Sequence, residues 1–142
     1  MGYLIDTNVI SEVKSRSPEP KVIEWLASVR LSQSYLSAIT VGEIQKGISG
    51  LPRETRRREE LSRWIEDDVL ETFSGRVLAL DVAVMRAWGR LTADLQARGN
   101  TMGLMDSLIA ATAVHHGLTL VTRNEADFQN TPVDVINPWK EV

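Results

Sequence analysis

Short apolar runs alternate with stretches of helical period along this chain, and that alternation limits the fold more than any other feature of its sequence. Tyr3-Leu4-Ile5, Ser34-Tyr35-Leu36-Ser37, Arg76-Val77-Leu78-Ala79-Leu80, Leu118-Thr119-Leu120-Val121-Thr122 and Val133-Asp134-Val135-Ile136 have the length and residue types of strands. Helical spacing fills the intervals. Strands that alternate with helices build an α/β fold, here a mainly parallel central sheet with helices on both faces. At 142 residues the chain is read as one domain, 1–142.

The helices can be placed from their own signals. Residues 8–13 make a short helix after the first strand, and Pro20 opens a second on which Val22, Ile23, Leu26 and Val29 share a face. Thr40 can cap a third, with Glu43 three residues on, as in a capping box. After Leu51-Pro52, residues 53–70 read as a charged amphipathic helix with Leu61, Trp64, Ile65 and Leu70 as its apolar side. Asp81 is placed to cap a long helix running to Gln96 or Ala97, with a stripe of Met85, Trp88, Leu91, Thr92 and Leu95. The next helix opens near Gly103 and stops at Gly117.

Composition excludes several functions. The net charge of −3 gives no global attraction to a nucleic acid or an anionic membrane, so any polyanion must be handled locally. The absence of cysteine removes thiol catalysis and disulfide frameworks. The longest stretch free of Asp, Glu, Lys and Arg, residues 107–122, is too short to span a bilayer, and no secretory signal precedes Asp6. A cytoplasmic protein without a membrane partner is expected.

Acids recur where strands end. Asp6 directly follows the first strand, Glu43 comes shortly after the second, and Asp127 lies just past the fourth. Asp106 sits in the first turn of a helix whose face is otherwise small and apolar, an unusual place for a carboxylate. For Asp6 the structural alternative is a helix cap, and for Glu43 it is the capping box with Thr40. In a βαβ sheet these positions share one rim, where ligands of open α/β sheets usually bind. Crowded carboxylates repel, and the ordinary remedy is a hard divalent cation such as Mg²⁺ or Mn²⁺. With no cysteine, and with His115 and His116 at the far end of their helix, a zinc site is not expected. Crowding also predicts that at least one of these acids titrates above its usual value.

Leu4-Ile5-Asp6-Thr7-Asn8-Val9, Ser37-Ala38-Ile39-Thr40-Val41-Gly42-Glu43, Asp106-Ser107-Leu108-Ile109-Ala110-Ala111-Thr112-Ala113 and Thr122-Arg123-Asn124-Glu125-Ala126-Asp127-Phe128 together resemble the PIN-domain toxins of bacterial toxin–antitoxin modules, especially the VapC/FitB group. The likeness runs over essentially the whole chain, including residues 73–80 and Asn137-Pro138-Trp139. It implies that Asp6, Glu43, Asp106 and Asp127 are catalytic and bind Mg²⁺ or Mn²⁺, with Asn8 and Thr122 as polar residues near the metal. It further implies endoribonuclease activity on RNA, a small antitoxin partner that binds operator DNA, and a homodimer. One departure stands out: relatives often carry proline where this chain has Gly103. The FitB likeness also supports another role, as the non-catalytic half of a DNA-binding regulatory complex.

Overall fold

Leu4 and Ile5 are neighbours in the first strand, yet they belong to different cores, because successive side chains of a strand point to opposite faces of the sheet. Leu120 and Val121 divide in the same way. The computed structural model that shows this describes residues 2–140. The strands are β1 (Tyr3–Ile5), β2 (Ser34–Ser37), β3 (Val77–Leu78), β4 (Thr119–Val121) and β5 (Val135–Ile136). All pairings are parallel, in the order β3-β2-β1-β4-β5. The mainly parallel sheet expected from the alternation is therefore present, with β1 at its centre.

Helices α1 (Thr7–Glu12), α2 (Pro20–Ser28), α3 (Ala38–Ser49) and α4 (Arg56–Arg63) enclose one core with Ile5, Leu36 and Val121. A π-helical turn, Trp64–Val69, and the short α5 (Leu70–Thr72) continue α4. On the opposite face, α6 (Val82–Ala97) and α7 (Leu104–His116) pack with Leu4, Leu120 and Phe128 of α8 (Glu125–Phe128). Ala110, Ala111 and Ala113 are fully buried, since small side chains let α7 lie close to the sheet.

Four local expectations change. Ser37, not Thr40, caps α3: its Oγ accepts from the Ile39 N–H at 3.0 Å, so β2 passes into the helix without a loop. Glu43 thus stands in the second turn of α3, and the capping-box explanation for it is lost. The charged helix begins at Arg56, because Thr55 caps it and Glu54 takes a positive φ of 62°. Its apolar side passes through Trp64 and Ile65 to Val69 and Phe73, while Leu70 is exposed; the wider π turn shifts the helical phase. On α6 the buried face is Val84, Ala87, Leu91 and Leu95, and Met85 lies outside it. Gly103 begins α7 with φ −60°, the value a proline would impose, so the departure from proline leaves the helix start in place.

Among the described residues, no helix is long and apolar enough to cross a membrane.

Candidate active site

The centre of the site is the C-terminal end of β1. Asp6 is 6% exposed and serves two purposes. Its Oδ1 accepts from the Thr7 N–H at 2.8 Å and so caps α1, the structural role anticipated for it. Its Oδ2 accepts from Thr122 Oγ1 at 2.8 Å and from Asn8 Nδ2 at 3.4 Å.

Thr122 makes this arrangement directional. Its buried hydroxyl also receives Asn8 Nδ2 at 3.2 Å and the Asn124 N–H at 3.1 Å. A hydroxyl has one proton and two lone pairs, so with both lone pairs occupied its proton is committed to Asp6. Such donors favour the carboxylate form. Burial acts in the opposite sense and prevails: Asp6 titrates above its ordinary value because of desolvation, with the Glu43 charge adding to the rise and the bonds from Thr122, Thr7 and Asn8 opposing it.

Glu43 reaches the rim from α3. The Thr7 hydroxyl donates to its Oε1 and lies 3.1 Å from the buried Thr40 Oγ1. Asp106, the third residue of α7, titrates above its ordinary value, first through burial and then through the charges of Asp127, Asp6 and Glu43. No hydrogen bond among the described residues opposes that rise. Asp127, in α8, is exposed and shares a polar hollow of about 200 Å³ with Asp106, Asn100, Thr101 and Asn130.

Asp106 thus feels the charges of Asp127, Asp6 and Glu43, and Asp6 that of Glu43, although Glu43 lines a separate hollow from the one that Asp106 and Asp127 share. The four side chains remain splayed: among the described residues, no three acidic or imidazole groups are close enough to close on one ion as they stand. The donor set still suits a hard cation. It is all oxygen, and the three bonds to Asp6 leave about one of its four acceptor positions open. Asn8 and Thr122, the two anticipated supporting residues, both touch Asp6. His115 and His116 are exposed at the other end of α7, edge to face with each other.

Thr7 and Thr40, which steady Glu43, are not among the expected site residues; Thr40 is expected only as a helix cap. The sequence reading also missed how Asn137 binds the turn after β4. Nothing local announces that contact, because it depends on β5 lying beside β4.

Fold and site together define a parallel α/β protein with an oxygen-rich acidic crevice at the carboxyl ends of its central strands. The model of the PIN domain family matches residues 3–133, and the chain belongs to that family. It is 39% identical to a VapC ribonuclease of Sinorhizobium fredii, covering 96% of this chain and 97% of the relative. It is 37% identical to the toxin FitB of Neisseria gonorrhoeae, covering 97% and 99%. Among solved structures, FitAcB from Neisseria gonorrhoeae superposes with a TM-score of 0.93 at 37% identity over 98% of this chain and 99% of that one. FitAB bound to a DNA fragment gives the same TM-score at 36% identity, over 99% and 97%.

Proposed function

We propose that this chain is a Mg²⁺- or Mn²⁺-dependent endoribonuclease toxin of a toxin–antitoxin module, with Asp6, Glu43, Asp106 and Asp127 as its metal-binding and catalytic acids. The observation that carries this reading is Asp6: a buried carboxylate supplied with three hydrogen bonds, whose charge acts on Asp106 together with those of Glu43 and Asp127. A structural cap explains the bond to Thr7; it does not explain the other acids.

Asp6, held from two sides, is the fixed ligand. Glu43 is aimed by Thr7, and Asp106 and Asp127 approach from the α7 and α8 side. A divalent cation held by these acids would supply polarisation of a phosphodiester and a bound water of lowered pKa for in-line attack. Mg²⁺ retains several waters, so a splayed set of acids is compatible with it. Asn8 and Thr122 keep Asp6 oriented as charge changes around it.

The relatives' names and complexes support the rest of the reading. The free chain acts on RNA, a small antitoxin binds it in other circumstances, and operator DNA is reached through that antitoxin. A homodimer would cover apolar surface such as the exposed Val82, Leu104 and Met105. The DNA-bound FitAB structure favours a second reading, in which this chain serves chiefly as a non-catalytic partner in a regulatory complex.

One experiment separates them. The purified, antitoxin-free chain should cut RNA with Mn²⁺ or Mg²⁺ and stop in excess EDTA, and Asp106→Asn should lose the activity. RNA left intact by folded wild-type protein across a range of Mn²⁺ concentrations would reject the nuclease reading and leave the regulatory one.

A further inference from the structure

Beyond Asp127 lies a hollow of about 540 Å³ whose cationic and aromatic lining is not used by the acid site. The C-terminal Asn137-Pro138-Trp139 segment builds its wall by hooking under the turn that follows β4. The buried Asn137 amide donates to the Arg123 carbonyl at 3.3 Å and to Glu125 Oε1 at 2.8 Å, and its Oδ1 accepts from the Trp139 N–H at 3.0 Å. These bonds set the Trp139 ring under the Arg123 guanidinium, 5.0 Å from ring centroid to Cζ. The Arg123 N–H donates to Asn8 Oδ1 at 3.1 Å, which ties the same residue to the Asp6 cluster.

Two cations line this hollow, and they are not equivalent. Lys140 is engaged by Glu125 at 2.9 Å. Arg123 is exposed, and among the described residues no carboxylate lies within ion-pair distance of it. A guanidinium held over an aromatic ring keeps N–H donors free at its edge, where a phosphate can take two of them at once. A chain of net charge −3 with acids at its centre repels a polyanion, so productive binding needs positive charge beside the crevice.

We propose that Arg123, braced on Trp139, is a phosphate anchor that seats single-stranded RNA alongside Asp127, flanking the bond to be cut. This rests on the ribonuclease reading and names the residue that holds the substrate in register.

The test is binding of a fluorescein-labelled single-stranded RNA by the purified full chain in EDTA, titrated over salt. Arg123→Gln keeps a polar planar end group and removes the charge together with the guanidinium fork. It should weaken binding several-fold and reduce the slope of log affinity against log salt by about 0.7, the contribution of one phosphate on a single strand. Arg123→Lys should restore most of the slope, and Arg90→Ala, an exposed change on α6, should leave it alone. With Mn²⁺, Arg123→Gln should raise KM and spare kcat, unlike Asp106→Asn. Unchanged affinity and slope overturn the anchor, as does weaker binding at an unchanged slope. Retained RNA binding with loss of an acidic protein partner also overturns it, by assigning the cation to a protein carboxylate. Failure of the ribonuclease reading looks different: wild-type protein binds RNA with salt dependence and leaves it intact with Mn²⁺, while the Arg123 comparison is still decided by binding.

Discussion

Asp6 and Asp106 are both pushed by burial toward the protonated form, yet Asp6 accepts three hydrogen bonds and Asp106 has none among the described residues. The first belongs to the β1 and β4 side of the crevice, where the side chains that follow both strands interlock. The second belongs to the α7 and α8 side, which opens into a polar hollow. Asp6 is part of the fold as well as of the site. Asp106 contributes little to the fold that its charge does not cost, so the stability of the protein should respond in opposite ways to the same substitution at the two sites.

Activity gives the largest effect, and there the two sides of the crevice should agree. Asp6→Asn and Asp106→Asn should each abolish RNA cleavage, whereas Asp134→Asn, an exposed acid outside the crevice, should leave it near the wild-type rate. Cleavage retained by Asp106→Asn would remove the α7 side from the active site.

Metal should affect stability next most strongly. An ion that binds only the native state adds RT ln(1 + [L]/Kd), about 2.7 kcal/mol at a hundredfold excess over Kd. Saturating Mn²⁺ should therefore raise Tm by several degrees at pH 7.5 and by much less at pH 4.5, where carboxylates are partly protonated. The shift should shrink in Asp106→Asn. A Tm indifferent to Mn²⁺ at pH 7.5 would leave both halves of the crevice without a metal role.

Without metal, the two halves should diverge in urea unfolding. Thr122→Val removes the donor committed to Asp6 and the acceptor used by Asn8 and Asn124, and should cost about 1–3 kcal/mol. Asp6→Asn should also destabilise, because its new N–H₂ faces the donors of Thr122 and Asn8. Asp106→Asn should be neutral or stabilising, since it deletes repulsion and breaks no hydrogen bond among the described residues. Equal losses for Asp6→Asn and Asp106→Asn would erase the distinction.

The smallest effect is in pH dependence. Asp6 and Asp106 have raised folded values, so their penalty is absent below the unfolded value of 3.8 and grows as pH rises through the folded ones. Metal-free protein should lose stability from about pH 4 upward, and Asp106→Asn should flatten that decline. Glu125 runs the other way: its bonds from Lys140 and Asn137 hold its carboxyl below the ordinary value. Its contribution is present above the unfolded value and disappears as pH falls through the folded one. That side chain is half-exposed, so its part in the profile should vanish first when salt is added.

Most of the architecture could be read from the residues because it follows local periods. Ser34–Ser37 was delimited as found, Pro20 and Asp81 begin their helices, and Gly117 ends α7 in the left-handed conformation at φ 66°. The acids were legible too, since a carboxylate beside a buried apolar run is conspicuous in any strand-to-helix transition. The helix from Arg56 to Thr72 was harder. Its charge pattern is visible, but a π turn inside it is favoured by what Trp64, Ile65 and Val69 find to pack against, and that is a property of the core.

Sequence alone determined that this chain alternates strand and helix and carries an acid at successive strand ends, because both depend on neighbours within a few residues. The tertiary structure decided what those acids are bonded to. Thr122 meets Asp6 across 116 positions, and Thr7 meets Glu43 across 36, through parallel pairing of β1 with β4 and β2. A hydroxyl's single proton goes to whichever acceptor the other partners leave for it, and only the assembled sheet brings those partners together.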